Sequence, residues 1–324
     1  MARRILVPLD GSELSEEVVP WADELGGTMD ADVELVCVLE RDAASEAVLG
    51  EVALTERLSP SATTASPPNT SSIQLAASEQ EARLRLSGVR TRFQRVRNIE
   101  LTVLHGDPAS AVVRRVEEVD ASVIAMATHG RTGLARTVLG SVGGEVLRRS
   151  SIPVLLVRHG LTMPAHSPER VLVPLDTSEV GAAALQAAQP LAQELRWRII
   201  LFHALDLPAP ILQVQGAAIP LGLPPRDAPD EVLAYLEGLA DDLERKGIDV
   251  EIRLGAGPAA EATALAAEET GAGMIAMSTH GRSGIARWVL GSVAEGVIAR
   301  AHVPVLVLRP PRLPDEPVAE DTDG

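Results

Sequence analysis

Two short segments carry the residue types that could do chemistry, and they are nearly the same segment. Thr128-His129-Gly130-Arg131-Thr132-Gly133 leads to Gly140-Ser141-Val142. Thr279-His280-Gly281-Arg282-Ser283-Gly284 leads, at the same interval, to Gly291-Ser292-Val293. Glycine allows positive φ and close approach of a ligand to the backbone. Successive N–H groups in such a loop form a concave anion site. Gly140 and Ser141, and again Gly291 and Ser292, open a helix whose first N–H groups are unpaired and whose dipole is positive at that end. Phosphate binding is therefore the first chemistry to consider, with the Ser141 or Ser292 hydroxyl as an added donor. The competing reading is a tight turn before a helix, kept in both copies for folding alone.

The pattern is neither a Walker loop, which needs Gly-Lys-Ser/Thr, nor a dinucleotide fingerprint, which follows the first strand with an acidic residue about 20 positions on. Asp10 and its twin Asp176 end the first strand of each copy after Pro8 and Pro174. Each could accept from a ribose hydroxyl or a base amino group, or cap the following helix. Arg131 and Arg282 could touch phosphate. His129 and His280 read as loop or surface histidines, because no Ser/Asp partner has triad spacing and one His per copy cannot hold a metal. Cys37, in the second strand, corresponds to His203 and reads as a small buried residue. No catalytic residue and no protein-built metal site is expected.

The elements that must position these residues also repeat. Arg4-Ile5-Leu6-Val7-Pro8-Leu9-Asp10 matches Arg170-Val171-Leu172-Val173-Pro174-Leu175-Asp176. In the first copy the pattern predicts strands at Ile5–Leu9, Val33–Leu39, Ile99–Leu104, Val123–Ala127 and Val154–Val157. Helices are predicted from Ser12 to Leu25 and over Glu79–Val96, Ala109–Val119 and Ser141–Arg149. The second copy repeats the order, from Val171–Leu175 to Val305–Leu308. Strands alternating with helices imply a parallel sheet covered on both faces. Ligands of such sheets bind beyond the carboxyl ends of the strands. Ser59–Ser72 reads as a mobile loop, with a Pro-rich equivalent around Pro208–Pro229.

The chain has 324 residues, enough for two ordinary domains. We expect domains at residues 1–160 and 170–310, a linker at 161–169 and a disordered acidic tail at 311–324. With 46% hydrophobic but 2% aromatic residues, the core must be built from Ala, Val, Leu and Ile. The net charge of −16 argues against nucleic acid and anionic membrane as partners. The start Met1-Ala2-Arg3-Arg4 enters a strand without an apolar signal region, and no run is long enough to span a bilayer. With Cys37 the lone cysteine, these features suggest a cytoplasmic protein.

Val7-Pro8-Leu9-Asp10-Gly11-Ser12, together with the Thr128–Leu155 segment and its repeat, resembles the universal stress protein family in its tandem two-domain form. The resemblance covers nearly all of both copies. It implies an α/β fold of two doubly wound, Rossmann-like domains, each with a five-stranded parallel sheet of order 3-2-1-4-5. It implies, for the ATP-binding branch, the pattern Gly-x2-Gly-x9-Gly-Ser/Thr. That pattern falls on Ala127, Gly130, Gly140 and Ser141, and on Ser278, Gly281, Gly291 and Ser292. The first glycine is thus replaced in both copies. If φ had to be positive there, Ala127 would cost on the order of 1 kcal/mol. Family contacts carry over to Pro8, Asp10, Val38, Met126, Gly133 and Val142, and to Pro174, Asp176, Ala204, Met277, Gly284 and Val293. The resemblance implies ATP with Mg²⁺ on its phosphates, one site per copy, and a binding module rather than an enzyme. A member of the non-nucleotide branch acting through protein partners is the alternative, and a slow nucleotide hydrolase ranks third. Two similar copies suggest an intramolecular pseudo-dimer meeting at the last strands, with a further homodimer of the chain as an added option.

Overall fold

The computed structural model describes residues 3–40, 70–128, 139–163, 169–205, 229–279 and 290–308. In the first copy, β1 (Arg4–Pro8) is followed by a 3₁₀ turn (Ser15–Val18) and α1 (Val19–Thr28). Then come β2 (Asp32–Leu39), α2 (Thr70–Arg90), β3 (Ile99–His105), α3 (Pro108–Glu118), β4 (Val123–Thr128), α4 (Ser141–Arg149) and β5 (Val154–Arg158). The second copy runs β6 (Arg170–Pro174), α5 (Glu179–Leu195), β7 (Arg198–Leu205), α6 (Asp230–Arg245) and β8 (Val250–Ala256). It ends with α7 (Ala259–Glu269), β9 (Met274–Ser278), α8 (Ser292–Arg300) and β10 (Val305–Leu308).

Two compact units emerge. The first holds the described residues up to Thr128 together with Leu139–Arg149, and the second those from Ser150 onward. In the first unit the strands lie in the order β3-β2-β1-β4, and β1 pairs in parallel with both β2 and β4. In the second, β8-β7-β6-β9-β10 are all parallel, which is the 3-2-1-4-5 order. β5 completes this unit by pairing antiparallel with β10, Val305 opposite Leu156 and Val307 opposite Val154. Arg158 Nε donates to the Ala301 carbonyl oxygen at 3.2 Å beside that pairing. The fold is thus α/β with a mostly parallel sheet. Ile5, Leu6 and Val7 are consecutive and all fully buried, as are Ile199, Ile200 and Leu201. Such runs need cover on both sheet faces.

Two predicted helices are corrected. The helix expected from Ser12 to Leu25 begins as a 3₁₀ turn and becomes α-helical only at Val19. Pro20 lacks the N–H that a continuous helix would donate four residues back. The helix expected over Glu79–Val96 spans Thr70–Arg90, so Thr70, Ser71 and Ser72 belong to it and not to a mobile loop. Residues 59–69 of that loop, the Pro-rich equivalent at 208–228 and the acidic tail lie outside the described residues. The carboxylate of Asp23, buried in α1, captures the segment after Arg90. It accepts from the backbone N–H of Gln94, Arg95 and Val96 at 2.9, 2.9 and 3.0 Å. Gly26 leaves room for this, since a Cβ there would lie 2.6 Å from Val96 Cγ2.

At one buried position of the second strand the copies differ in charge. Glu34 is fully buried opposite Leu6, where the second copy has Ile200 opposite Leu172. Glu34 accepts from Arg4 at 3.2 Å, Arg115 at 2.9 Å and the Thr102 hydroxyl at 2.6 Å. Removing one partner of a buried pair is costly even where the pair itself adds little stability. Glu34→Ala is expected to destabilise the protein by about 3 kcal/mol, read as a lowered denaturation midpoint in urea. A change below about 0.5 kcal/mol, the size of an ordinary surface substitution, would refute the account.

α3 is capped by Asp107, whose carboxylate accepts from Ser110 N–H at 2.8 Å. These hydrogen bonds from Ser110 hold the Asp107 carboxyl below its ordinary value. A depressed folded-state value means stability that is present at neutral pH and lost as acid protonates the group. Asp107→Ala should therefore cost about 1 kcal/mol near neutral pH, and the difference should shrink in strong acid as the pH falls through the depressed folded-state value. Paired denaturation curves at neutral and strongly acid pH test this.

Candidate functional site

The first strand of each copy ends in the same hydrogen-bonded turn. One carboxylate oxygen of Asp10 accepts from Ser12 N–H at 2.9 Å and from its hydroxyl at 2.6 Å. The Ser12 hydroxyl oxygen in turn accepts from Ser15 N–H at 3.1 Å. In the second copy Asp176 accepts from Ser178 N–H at 3.1 Å and its hydroxyl at 2.5 Å, and Ser178 accepts from Gly181 N–H at 3.1 Å. So Ser178 caps α5 and Ser12 anchors the start of the 3₁₀ turn, and in both copies the aspartate holds the serine. Between them the backbone is left-handed, φ +79° at Gly11 and +66° at Thr177. A β-branched residue there carries strain of about 1–2 kcal/mol, which the paired hydrogen bonds hold in place.

Asp10 and Val38 line a cleft of about 250 Å³ beyond the ends of β1 and β2, with Cys37 beside them and α2 across from them. From α2, Glu81 and Arg85 line the same cleft, joined by a 2.7 Å ion pair. Arg85 extends over Gly11, where a Cβ would meet its Nη1 at 2.7 Å. Burial pushes the Cys37 thiol up from its ordinary value; the Arg85 guanidinium offsets part of this, and the Asp10 carboxylate adds to it. In the second copy His203 takes the place of Cys37 and donates through Nδ1 to the Leu175 carbonyl oxygen at 2.7 Å.

Pro8 and Pro174 end their strands opposite Val36 and Phe202, while Leu9 and Leu175 N–H carry the ladder one step further. Met126 and Met277 are buried in β4 and β9, and Met126 lies near Gly143 of α4. Ala127 and Ser278 lie in β4 and β9, and neither has positive φ. The replacement of the first motif glycine therefore carries no left-handed strain. Gly140 directly precedes α4 and Gly291 caps α8, so Ser141 and Ser292 begin helices as expected. Gly291 is extended rather than left-handed, φ −61°. Its value is close approach: its N–H donates to the Thr279 carbonyl oxygen at 3.0 Å, and a Cβ would lie 3.2 Å from that oxygen. Val142 is half-buried and Val293 is exposed, and Ala204 is half-buried on β7. Gly130, Arg131, Gly133, Gly281, Arg282 and Gly284 lie outside the described residues, as do His129 and His280.

The strand order reverses between β1 and β4, and between β6 and β9, with the Asp turn on one side and the helix start on the other. That is the place where open parallel sheets hold ligands. The universal stress protein family model matches the chain twice, over residues 1–158 and 168–309. The chain belongs to the universal stress protein family. A universal stress protein of Mycobacterium tuberculosis is 31% identical over 194 residues, covering 59% of this chain. The match spans 62% of that relative's length. A universal stress protein of Methanocaldococcus jannaschii is 29% identical over 145 residues, covering 44% of this chain and 84% of that protein. The crystal structure of a universal stress protein from Archaeoglobus fulgidus shares the fold, with TM-score 0.64 and 21% identity over 94% of this chain and 98% of that one.

Glu81 and Arg85, and the buried Thr128 hydroxyl at the end of β4, were not among the residues expected from sequence. Thr128 Oγ1 has no hydrogen-bond partner among the described residues. No described helix is long and apolar enough to cross a membrane, and no described group of His, Cys, Asp or Glu could hold a metal.

As Cys37 is the lone cysteine, its chemistry can be followed without ambiguity. Its raised pKa keeps it a thiol at neutral pH, and thiolate is the nucleophile. Iodoacetamide should alkylate the native chain more slowly than the urea-unfolded chain at about pH 7.5, by intact mass. Equal rates would show that the site does not restrain the thiol.

Proposed function

We propose that the chain is an ATP-binding regulatory module of the stress response, with one nucleotide site in each copy, 1–160 and 170–310. The observation that carries this is the Asp turn built twice at the carboxyl edge, each time across the switch point from a glycine-led helix start. In this reading the carboxylates of Asp10 and Asp176 accept from a ribose hydroxyl at the end of the first strand of each copy. The N–H groups at Ser141 and Ser292 face phosphate with the positive helix end. The Thr128 hydroxyl, unpartnered among the described residues, and the unstrained Ala127 and Ser278 suit a phosphate-bearing ligand at the end of the fourth strand. Mg²⁺ would ride on the phosphates, supplying charge neutralisation to them.

The role assigned is binding rather than turnover. Nucleotide occupancy would favour one conformation by mass action and so report cellular energy state. The reading places the protein in the cytoplasm, where Cys37 stays reduced. Purified protein should gain several degrees of thermal midpoint with millimolar Mg-ATP. A Gly130→Val/Gly281→Val double variant should lose that gain while keeping its unliganded midpoint. No gain in the parent protein would refute nucleotide binding and favour a role through protein partners.

A further inference from the structure

The two copies share the Asp turn but not the residues facing it from the covering helix. The buried positions Ala82, Leu86 and Val89 of α2 have the same spacing as Leu236, Ala240 and Leu243 of α6. This alignment puts Tyr235 where the first copy has Glu81, and Leu239 where it has Arg85. Glu81 lines the first cleft, so the Tyr235 position is one that faces the site. The Tyr235 hydroxyl is buried and has no hydrogen-bond partner among the described residues. A buried polar atom left unpaired needs an explanation, because pairing is the rule and its absence costs free energy.

We propose that Tyr235 is a ligand-contacting residue of the second site, its hydroxyl donating to a ribose hydroxyl oxygen of the nucleotide while Asp176 accepts from the ribose. The inference rests on the nucleotide reading above and makes the two sites chemically distinct. In the first, the Glu81–Arg85 ion pair flanks the ligand. In the second, a neutral hydroxyl and an aromatic ring do so. Burial, with the negative charge of Asp176 adding to it, holds the Tyr235 hydroxyl protonated and so a donor. The ring offers an apolar wall and the hydroxyl a polar tip, the combination expected at a boundary with a sugar.

The chain has one tyrosine, so full-length protein labelled with 3-fluorotyrosine gives a single ¹⁹F resonance from this position. Mg-ATP should shift that resonance saturably. By calorimetry, Tyr235→Phe should weaken one of two binding events about threefold to tenfold, the value of one neutral hydrogen bond, and leave the other unchanged. Binding heat with an unmoved resonance and parental affinities in Tyr235→Phe would overturn the assignment while leaving the nucleotide reading intact. Absence of binding heat in the parent protein would remove both.

Discussion

Everything at the carboxyl edge depends on one carboxylate oxygen that accepts twice from the same serine. Asp10 and Asp176 each take both the N–H and the hydroxyl of the residue two places on. That pair of bonds turns the chain out of a buried strand and aims it at a helix. It also makes the serine oxygen available as a cap for Ser15 or Gly181 N–H. The tightness is visible in what the turn forbids. A Cβ at Gly181 would lie 2.6 Å from Asp176 Oδ1. The turn also keeps Thr177 at positive φ, where a β-branched residue is otherwise disfavoured. The aspartate is thereby held in one orientation, which would lower the ordering cost of binding the proposed nucleotide.

The copies use different means to fill the same sheet. Glu34 and its arginines occupy a position that Ile200 fills with hydrocarbon, and both solutions keep the strand fully buried. Buried ion pairs rarely outperform apolar packing, since desolvation offsets their attraction. Their retention in one copy ties β1, β2, β3 and α3 together through Arg4, Glu100, Thr102 and Arg115. The second copy has no such network at Ile200, and its outer strands are linked instead by the exposed pair of Arg198 and Asp249 at 2.6 Å.

Much of the fold was legible because the apolar runs are short, the helices amphipathic and the whole pattern written twice. Ser141–Arg149, Ala259–Glu269, Ser292–Arg300 and Val305–Leu308 fall where periodicity puts them. The misplaced helix between β2 and β3 failed for a reason that periodicity cannot carry. Residues Gln94–Val96 are held by Asp23, more than seventy positions away in the chain. At the site, Asp10 and Val38 were legible from the repeat and the resemblance. Glu81, and the Tyr235 proposed as its counterpart, were not, because the covering helices α2 and α6 differ in their facing residues. Only the shared spacing of buried residues in α2 and α6 aligns them.

Duplication explains why these two kinds of position behave differently. A residue that fixes the backbone, such as Asp10, Ser12 or Gly291, sits in a hydrogen-bonded or close-contact frame that collapses if it is changed, so both copies must keep it or lose the fold locally. A residue that only faces the cleft from the covering helix meets no such demand. Glu81 and Arg85 are largely exposed and pair with each other, so exchanging them for Tyr235 and Leu239 leaves the sheet edge untouched. The frame is thus conserved between copies while the lining is free to diverge. If both copies hold nucleotide as proposed, two sites made in this way would share where the ligand sits and differ in how tightly each holds it. Occupancies rising at different nucleotide concentrations would then follow without any conformational coupling between the copies.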